Sequence, residues 1–219
     1  MNRVNVQNLI GAIASMGVML LSLQHFVPVQ LTPLEAIAAI TSAWSVWLLA
    51  KNDPLGWWIG LIGVVAYIVV FFQVKLYGDV AIQIFYLVTS VQGIYLWLRG
   101  GENKTEKSVG HINKHWLLVS LALGIFSVIG LRVGLIALDG AVPFWDSLTT
   151  VGSAIAQIYL MERYIESWYL WIALDLIYIP LYASRGLYLT SVLYAIFFAM
   201  AIYGLKNFQH IYRQQKTLK

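Results

Sequence analysis

The sequence has 219 residues, of which 60% are hydrophobic and only 11% are charged, and it contains no cysteine. Soluble domains carry about a quarter charged residues, so this composition excludes a water-soluble globular protein and predicts an integral membrane protein without disulfides. The net charge of +4 comes from basic residues at the ends of apolar segments, which favours lipid headgroups over nucleic acid as their partners.

Apolar runs of about 20 residues, the length that crosses a bilayer, recur along the chain. They predict an all-α membrane protein with eight transmembrane helices. The first run follows Arg3 and looks like a signal peptide, but we interpret it as an accessory helix. The predicted spans are Asn8–Val27, Leu34–Leu49, Leu55–Phe72, Val80–Leu98, Trp116–Leu138, Phe144–Met161, Trp168–Ala183 and Leu187–Leu205.

Basic residues are distributed unevenly over the segments between these spans. With the amino terminus inside, the outer loops receive only Lys75 and Arg185, whereas the other loops and the carboxyl terminus collect most of the lysines and arginines. The positive-inside rule therefore predicts a multi-pass membrane protein with both termini cytoplasmic.

An internal repeat organises the chain. At an offset of 111 residues the segment Glu35–Gly100 aligns without a gap on Asp146–Ile211. Each copy contains three predicted helices, and the single helix between them makes both copies enter the membrane from the same side. This is a parallel 3+1+3 repeat, an architecture typical of transporters. Matched pairs include Trp57 with Trp168, Tyr67 with Tyr178, Tyr77 with Tyr188, and Gly93 with Gly204.

The repeat predicts four regions. An accessory helix occupies residues 1–33 and a first three-helix bundle occupies residues 34–100. Residues 101–142 hold a polar cytoplasmic linker and the connecting helix, and residues 143–219 hold the second bundle with a basic tail.

The seventh predicted span carries a polar and aromatic face. At helical spacing Trp171, Asp175, Tyr178 and Tyr182 lie on one side. An ionised carboxylate at the bilayer centre costs at least about 2.5–3.5 kcal/mol, so Asp175 is expected to point into the protein or into a watered cavity. The alternative is a structural aspartate capped by tyrosine hydroxyls.

Further residues complete the predicted pocket. Gln83 and Tyr86 share a face of the fourth span at the depth of the membrane, and Trp168, Gln92 and Tyr194 are weaker candidates. For each glutamine, a hydrogen bond between helices is an equal alternative to a ligand contact.

The pocket is predicted to be asymmetric, because the counterpart of Asp175 in the first copy is Val64. Aromatic faces, one carboxylate and a few hydrogen-bonding groups suit a small planar cation with hydroxyl groups. The carboxylate would also suit a proton relay, and the residues leave this choice open. The sequence has no phosphate-binding loop, no HExxH motif and only scattered histidines, so we predict no metal, no cofactor and no enzymatic activity.

Several separate motifs, in the same order, closely resemble the PnuC family of bacterial vitamin transporters. They are VVFFQVKLYGDVAIQIFY (Val69–Tyr86), GIYLW (Gly93–Trp97), PFWDS (Pro143–Ser147) and the run from Arg163 to Tyr194. The resemblance covers the chain from about Glu35 onward.

This resemblance implies a fold like that of the SWEET sugar transporters, a possible homotrimer, and facilitated diffusion of nicotinamide riboside, which a separate cytoplasmic kinase then traps. In the family the position of Asp175 is often asparagine, which leaves thiamine or another vitamin as an alternative substrate. A proton-coupled carrier, a membrane-embedded enzyme acting on lipid and a vitamin sensor are the remaining alternatives.

Overall fold

The computed structural model describes residue 8, residue 15 and residues 32–217, apart from residues 74, 76, 139–142 and 185–187. Over these residues the chain forms seven α-helices and one short 3-10 turn at Glu102–Lys104. The helices are α1 (Pro33–Ala50), α2 (Leu55–Gln73), α3 (Tyr77–Arg99), α4 (Lys114–Ala137), α5 (Pro143–Met161), α6 (Glu166–Ser184) and α7 (Tyr188–Thr217).

The prediction of an all-α membrane protein is confirmed. Within the described residues, five helices are long and apolar enough to cross a membrane by length and composition, namely α1, α2, α3, α4 and α7. α5 and α6 fall outside this set because Asp146 in α5, and Glu166 and Asp175 in α6, make these helices less apolar, as do their tyrosines, serines or threonines. The predicted first span lies outside the described residues except at Asn8 and Ser15, so the count of eight helices stays a prediction.

One predicted boundary is wrong. The last span was expected to end at Leu205, but α7 continues to Thr217. Hydropathy reports only where a helix leaves an apolar environment, whereas the residues beyond Leu205 include good helix formers and a fully buried ring, Phe208.

The described chain divides into two compact units. Among the described residues, one unit contains those up to Leu49 together with those from Asp53 to Val91, and the other contains Ala50–Asn52 together with those from Gln92 onward. This division does not test the four regions predicted from the sequence, which stay a prediction.

In the first unit, α1 and α2 pack closely through small residues. α1 begins with a capping box, in which the Glu35 carboxylate accepts from the backbone N–H of Thr32 at 2.7 Å and the Thr32 hydroxyl accepts from the backbone N–H of Glu35 at 3.2 Å. A Cβ added at Gly60 would lie 2.7 Å from the Ser45 hydroxyl, and one at Gly63 would lie 2.8 Å from Ser42. Such small residues let helix backbones approach each other in a membrane.

In the second unit, α6 lies between α5 and α7. A Cβ at Gly152 of α5 would lie 2.9 Å from the Leu174 side chain, and a Cβ at Gly204 of α7 would lie 2.7 Å from the indole ring of Trp168. These two glycines therefore bring both neighbouring helices into direct contact with α6, and they fix the position of its amino-terminal half.

The turns that follow α1 and α5 have the same geometry. Asn52 and Arg163 each adopt φ 62°, the left-handed conformation that ends many helices. The next N–H closes each turn with a 2.9 Å hydrogen bond to a carbonyl five residues back, from Asp53 to Leu48 and from Tyr164 to Tyr159. Corresponding residues of the two turns are 111 positions apart, the offset of the sequence repeat.

Candidate functional site

Asp175 lies at the centre of α6 and is buried, with only 3% of its surface exposed. No described residue donates a hydrogen bond to its carboxylate or forms an ion pair with it. The proposed capping by tyrosine hydroxyls is therefore not seen among the described contacts. A buried acidic group in a folded protein normally has such a partner, so an unpartnered one at mid-helix is a candidate functional group.

Two indole N–H groups on the same stretch of α6 are also unsatisfied. The Nε1 atoms of Trp168 and Trp171 are buried and have no acceptor among the described residues. Trp168 is 1% exposed, and its ring lies against Gly204 and edge-on to Phe208, with the ring centroids 5.4 Å apart. Trp168, Trp171 and Asp175 follow one face at spacings of three and four residues. This face thus presents two donors and one acceptor without partners in the described chain.

Three tyrosines form a stacked cluster towards the carboxyl end of α6. The ring of Tyr194, on α7, lies 4.4 Å from the ring of Tyr178 and 5.2 Å from that of Tyr182, with interplanar angles of 27° and 5°. Tyr178 and Tyr182 stack on each other at 5.8 Å. The Ser191 hydroxyl of α7 donates to the Ile179 carbonyl of α6 at 2.8 Å, which joins the two helices beside the cluster.

Pro180 lies inside α6 and does not end it. Because proline has no backbone N–H, the carbonyl one turn earlier loses its usual helical partner. The carbonyl concerned is that of Leu176, which follows Asp175 in the sequence. The middle of α6 therefore contains both a buried carboxyl group and a backbone acceptor without its helical partner.

The predicted site residues of the first copy lie on α3. Gln83 and Tyr86 are half-buried, whereas Gln92 is exposed on the surface of the described chain. The ring of Tyr86 lies 5.8 Å from that of Phe85. Gln83 and Tyr86 belong to the first compact unit, and Gln92 belongs to the second. Their contribution to a pocket stays a prediction.

The helix equivalent to α6 in the first copy, α2, has the same ring pair without the acid. Tyr67 and Phe71 stack with centroids 5.3 Å apart and an angle of 11°, at the positions that correspond to Tyr178 and Tyr182. Val64 lies where α6 carries Asp175. Among the described residues, only those of the second copy therefore combine stacked rings with a buried carboxyl group.

Sequence reasoning missed a second polar centre, built around Arg163. This residue is 3% exposed, and its guanidinium lies 4.6 Å over the ring of Trp97. Nε donates to Asn52 Oδ1 at 3.0 Å and Nη1 donates to the carbonyl of Lys107, while Nη2 lies 3.6 Å from the Glu106 carboxylate.

Burial lowers the pKa of Arg163, and the Glu106 carboxylate raises it in part. Arginine nevertheless keeps its charge in proteins, so these acceptors hold a buried cation. In the sequence Arg163 was interpreted only as one of many cytoplasmic basic residues. Its position 111 residues after Asn52 was the available signal.

No group of three or more histidine, aspartate and glutamate residues that could hold a metal ion is present in the described part of the chain.

Several helices long and apolar enough to cross a membrane, together with a buried and unpartnered carboxyl group, are typical of multi-pass solute carriers. The sequence model of the nicotinamide mononucleotide transporter family matches residues 32–210, and the chain belongs to this family. The family is one of transporters and not of enzymes.

Relatives with assigned substrates include the nicotinamide riboside transporter PnuC of Escherichia coli K12, which is 26% identical over 201 residues that cover 78% of this chain and 82% of the relative. PnuC of Neisseria mucosa is 29% identical, covering 83% and 73%. The riboflavin/roseoflavin transporter RibM of Streptomyces davaonensis is 23% identical, covering 62% and 66%.

Among solved structures, the crystal structure of the vitamin B3 transporter PnuC superposes on this chain with a TM-score of 0.68 and covers 94% of this chain and 92% of its own. At 24% identity this likeness shows the fold alone.

Proposed function

We propose that this protein carries nicotinamide riboside across the bacterial inner membrane by facilitated diffusion. The observation that carries the proposal is the buried, unpartnered Asp175 at the centre of α6. Relatives that span most of the chain are named nicotinamide riboside transporters, which supports this substrate.

The chemistry of the ligand fits the groups on α6. Nicotinamide riboside is a planar pyridinium cation attached to a ribose. The Asp175 carboxylate would balance the positive charge, and the rings of Trp171 and Tyr178 would stack on the pyridinium by cation–π attraction. The free indole N–H groups of Trp168 and Trp171 would donate to ribose or carboxamide oxygens.

For the architecture, we propose eight transmembrane helices in a SWEET-like 3+1+3 parallel repeat, with both termini cytoplasmic. The matching turns after α1 and α5 support the repeat, because their hydrogen bonds recur at the same offset of 111 residues. In such carriers the substrate binds near the midplane at the repeat interface. The position of Asp175 halfway along α6 supports a site near the midplane.

A uniporter only equilibrates its substrate, so net uptake requires a trap. We propose phosphorylation of the riboside by a separate cytoplasmic kinase, since the Asp175 carboxylate would repel the added negative phosphate and the product would stay inside. The resemblance also suggests a homotrimer, in which each subunit would carry its own Asp175.

A second candidate substrate is thiamine, which is also an aromatic cation. The carboxyl group of Asp175, when ionised, would favour any such cation, and a relative named for riboflavin supports a family that carries more than one vitamin. Thiamine lacks a ribose, so the two indole donors would find fewer acceptors on it.

Calorimetry of the purified protein in detergent tests the substrate. We expect saturable heat on titration with nicotinamide riboside and a much smaller heat with thiamine. Tight binding of thiamine alone would move the assignment to the second candidate. A control variant is Asp79→Asn, which removes an exposed carboxylate from the first turn of α3 and leaves the carboxyl group of Asp175 in place. This variant should bind like the wild type.

A further inference from the structure

The Arg163 centre joins residues that are equivalent in the sequence repeat. Asn52 and Arg163 are 111 positions apart, and they hydrogen-bond directly to each other at 3.0 Å. Trp97 and Phe208 are also 111 positions apart, and their ring centroids lie 6.0 Å from each other. All four residues belong to the second compact unit. When a residue contacts its own equivalent, the contact lies on or beside a two-fold axis that relates the two.

Two reciprocal hydrogen bonds flank these contacts. The Trp97 indole donates to the Leu160 carbonyl at the end of α5, and the Asn207 amide donates to the Ala50 carbonyl at the end of α1, each at 3.1 Å. Each donor and each acceptor lies within one position of its exact equivalent in the other copy. The local two-fold relation therefore extends over both helix ends and over the side chains that hold them.

A continuous line of contacts leads from this centre to the candidate site. The Arg163 guanidinium lies 4.6 Å over the Trp97 ring, the Trp97 and Phe208 rings lie 6.0 Å apart, and Phe208 meets Trp168 at 5.4 Å. Trp168 is the first residue of the face that carries Asp175. Trp97, Phe208 and Trp168 are each 1% exposed or less, so a displacement of one ring must displace the next.

We propose that the contact between Asn52 and Arg163 closes a gate at the cytoplasmic end of the carrier, and that the Trp97–Phe208 ring pair couples this gate to Trp168. The inference rests on the proposed function, because it requires alternating access in a parallel repeat. In that architecture the axis runs along the membrane normal and the substrate site lies at the repeat interface. A contact on the axis therefore closes the way from the site to one side of the membrane, and it must open for release.

Cross-linking tests the gate. Since the sequence contains no cysteine, the double variant Asn52→Cys with Arg163→Cys carries the only two thiols. In proteoliposomes we expect a short bifunctional methanethiosulfonate reagent to abolish nicotinamide riboside uptake by this variant, and a reducing agent to restore it. Binding to the cross-linked protein in detergent should persist. Unchanged uptake after complete cross-linking would overturn the gate, because a static brace tolerates a covalent bond.

Two controls separate this test from the substrate assignment. Arg99→Ala removes an exposed arginine two residues from Trp97, so it should take up the riboside like the wild type with or without the reagent. A wild type that neither binds nor takes up the riboside refutes the substrate. The cross-linking test then proceeds with the vitamin that the wild type does bind.

If the double variant does not fold, thiol labelling of the single variant Asn52→Cys tests the gate instead. Here Arg163 is intact and the half-buried thiol reports on the contact. In inside-out vesicles, an impermeant thiol reagent should modify it several times faster or slower once substrate is added, because transport changes the time that the gate stays open. A rate that substrate does not change would contradict the proposal.

Discussion

α2 and α6 align with each other in the predicted repeat, yet only α6 has a buried acidic side chain. Each helix begins with a buried tryptophan in an identical turn, and each carries a stacked aromatic pair near its other end. Between these features α2 has Val64, and α6 has Asp175. Both helices therefore share their packing features, whereas α6 alone has a buried carboxyl at this position, which in the proposed function contacts the ligand.

The largest expected effect comes from removing that charge. Asp175→Ala should weaken binding of nicotinamide riboside by about 2 kcal/mol, or roughly 30-fold in Kd, because a charged contact to the cation is lost. Calorimetry in detergent measures it. Val64→Ala at the equivalent position of α2 is the matched control and should leave Kd unchanged within about threefold, as expected for a contact that does not reach the ligand. Equal losses of affinity in both variants would contradict the proposed difference between α2 and α6.

A smaller loss of affinity is expected from a substitution at the contact between α7 and Trp168 of α6. In Gly204→Ala the new methyl group would lie 2.7 Å from the Trp168 ring, a distance that requires the ring or the helix to shift. Overpacking of this kind costs about 1–3 kcal/mol, so thermal unfolding should occur several degrees lower. The affinity for the riboside should fall as well, because Trp168 moves.

Gly130→Ala in α4 is the control for this variant, since nothing lies within 4 Å of a Cβ added there. Alanine is the better helix former by about 1 kcal/mol, so this change should preserve or raise thermal stability. A stable Gly204→Ala protein with normal affinity would show that Trp168 has room to adjust.

The smallest expected effect tests the unpartnered indole. Trp168→Phe keeps an aromatic ring and removes the N–H donor, so it should weaken binding by about 1 kcal/mol, close to fivefold in Kd. Trp57→Phe makes the same change at the equivalent position of α2 and should leave Kd as it is. A larger loss from Trp57→Phe would mean that the first copy contributes donors to the ligand.

The sequence predicted the helices well because membrane spans are set by apolar length. The second helix of the repeat was expected at Leu55–Phe72 and runs to Gln73. The burial of Asp175 followed from the cost of a charge in lipid. The end of α7 was not predictable from hydropathy, because the helix continues beyond its apolar part and is held there by Phe208.

The Arg163 centre was missed for a different reason. Its acceptors come from the turn after α1, the end of α3 and the linker, which are far apart in the chain. The residues next to Arg163 in the sequence do not show whether its side chain is buried or exposed. Likewise, hydropathy does not reveal which tryptophans lack an acceptor, because that depends on the packing of neighbouring helices.

Uptake of radiolabelled nicotinamide riboside into proteoliposomes tests the central claim most directly. The wild type should equilibrate the riboside across the membrane without an ion gradient and regardless of an uncoupler, whereas folded Asp175→Ala protein should lose most of this uptake. Near-normal uptake by the folded Asp175→Ala protein would contradict the account, because the carboxylate of α6 would then have no part in transport.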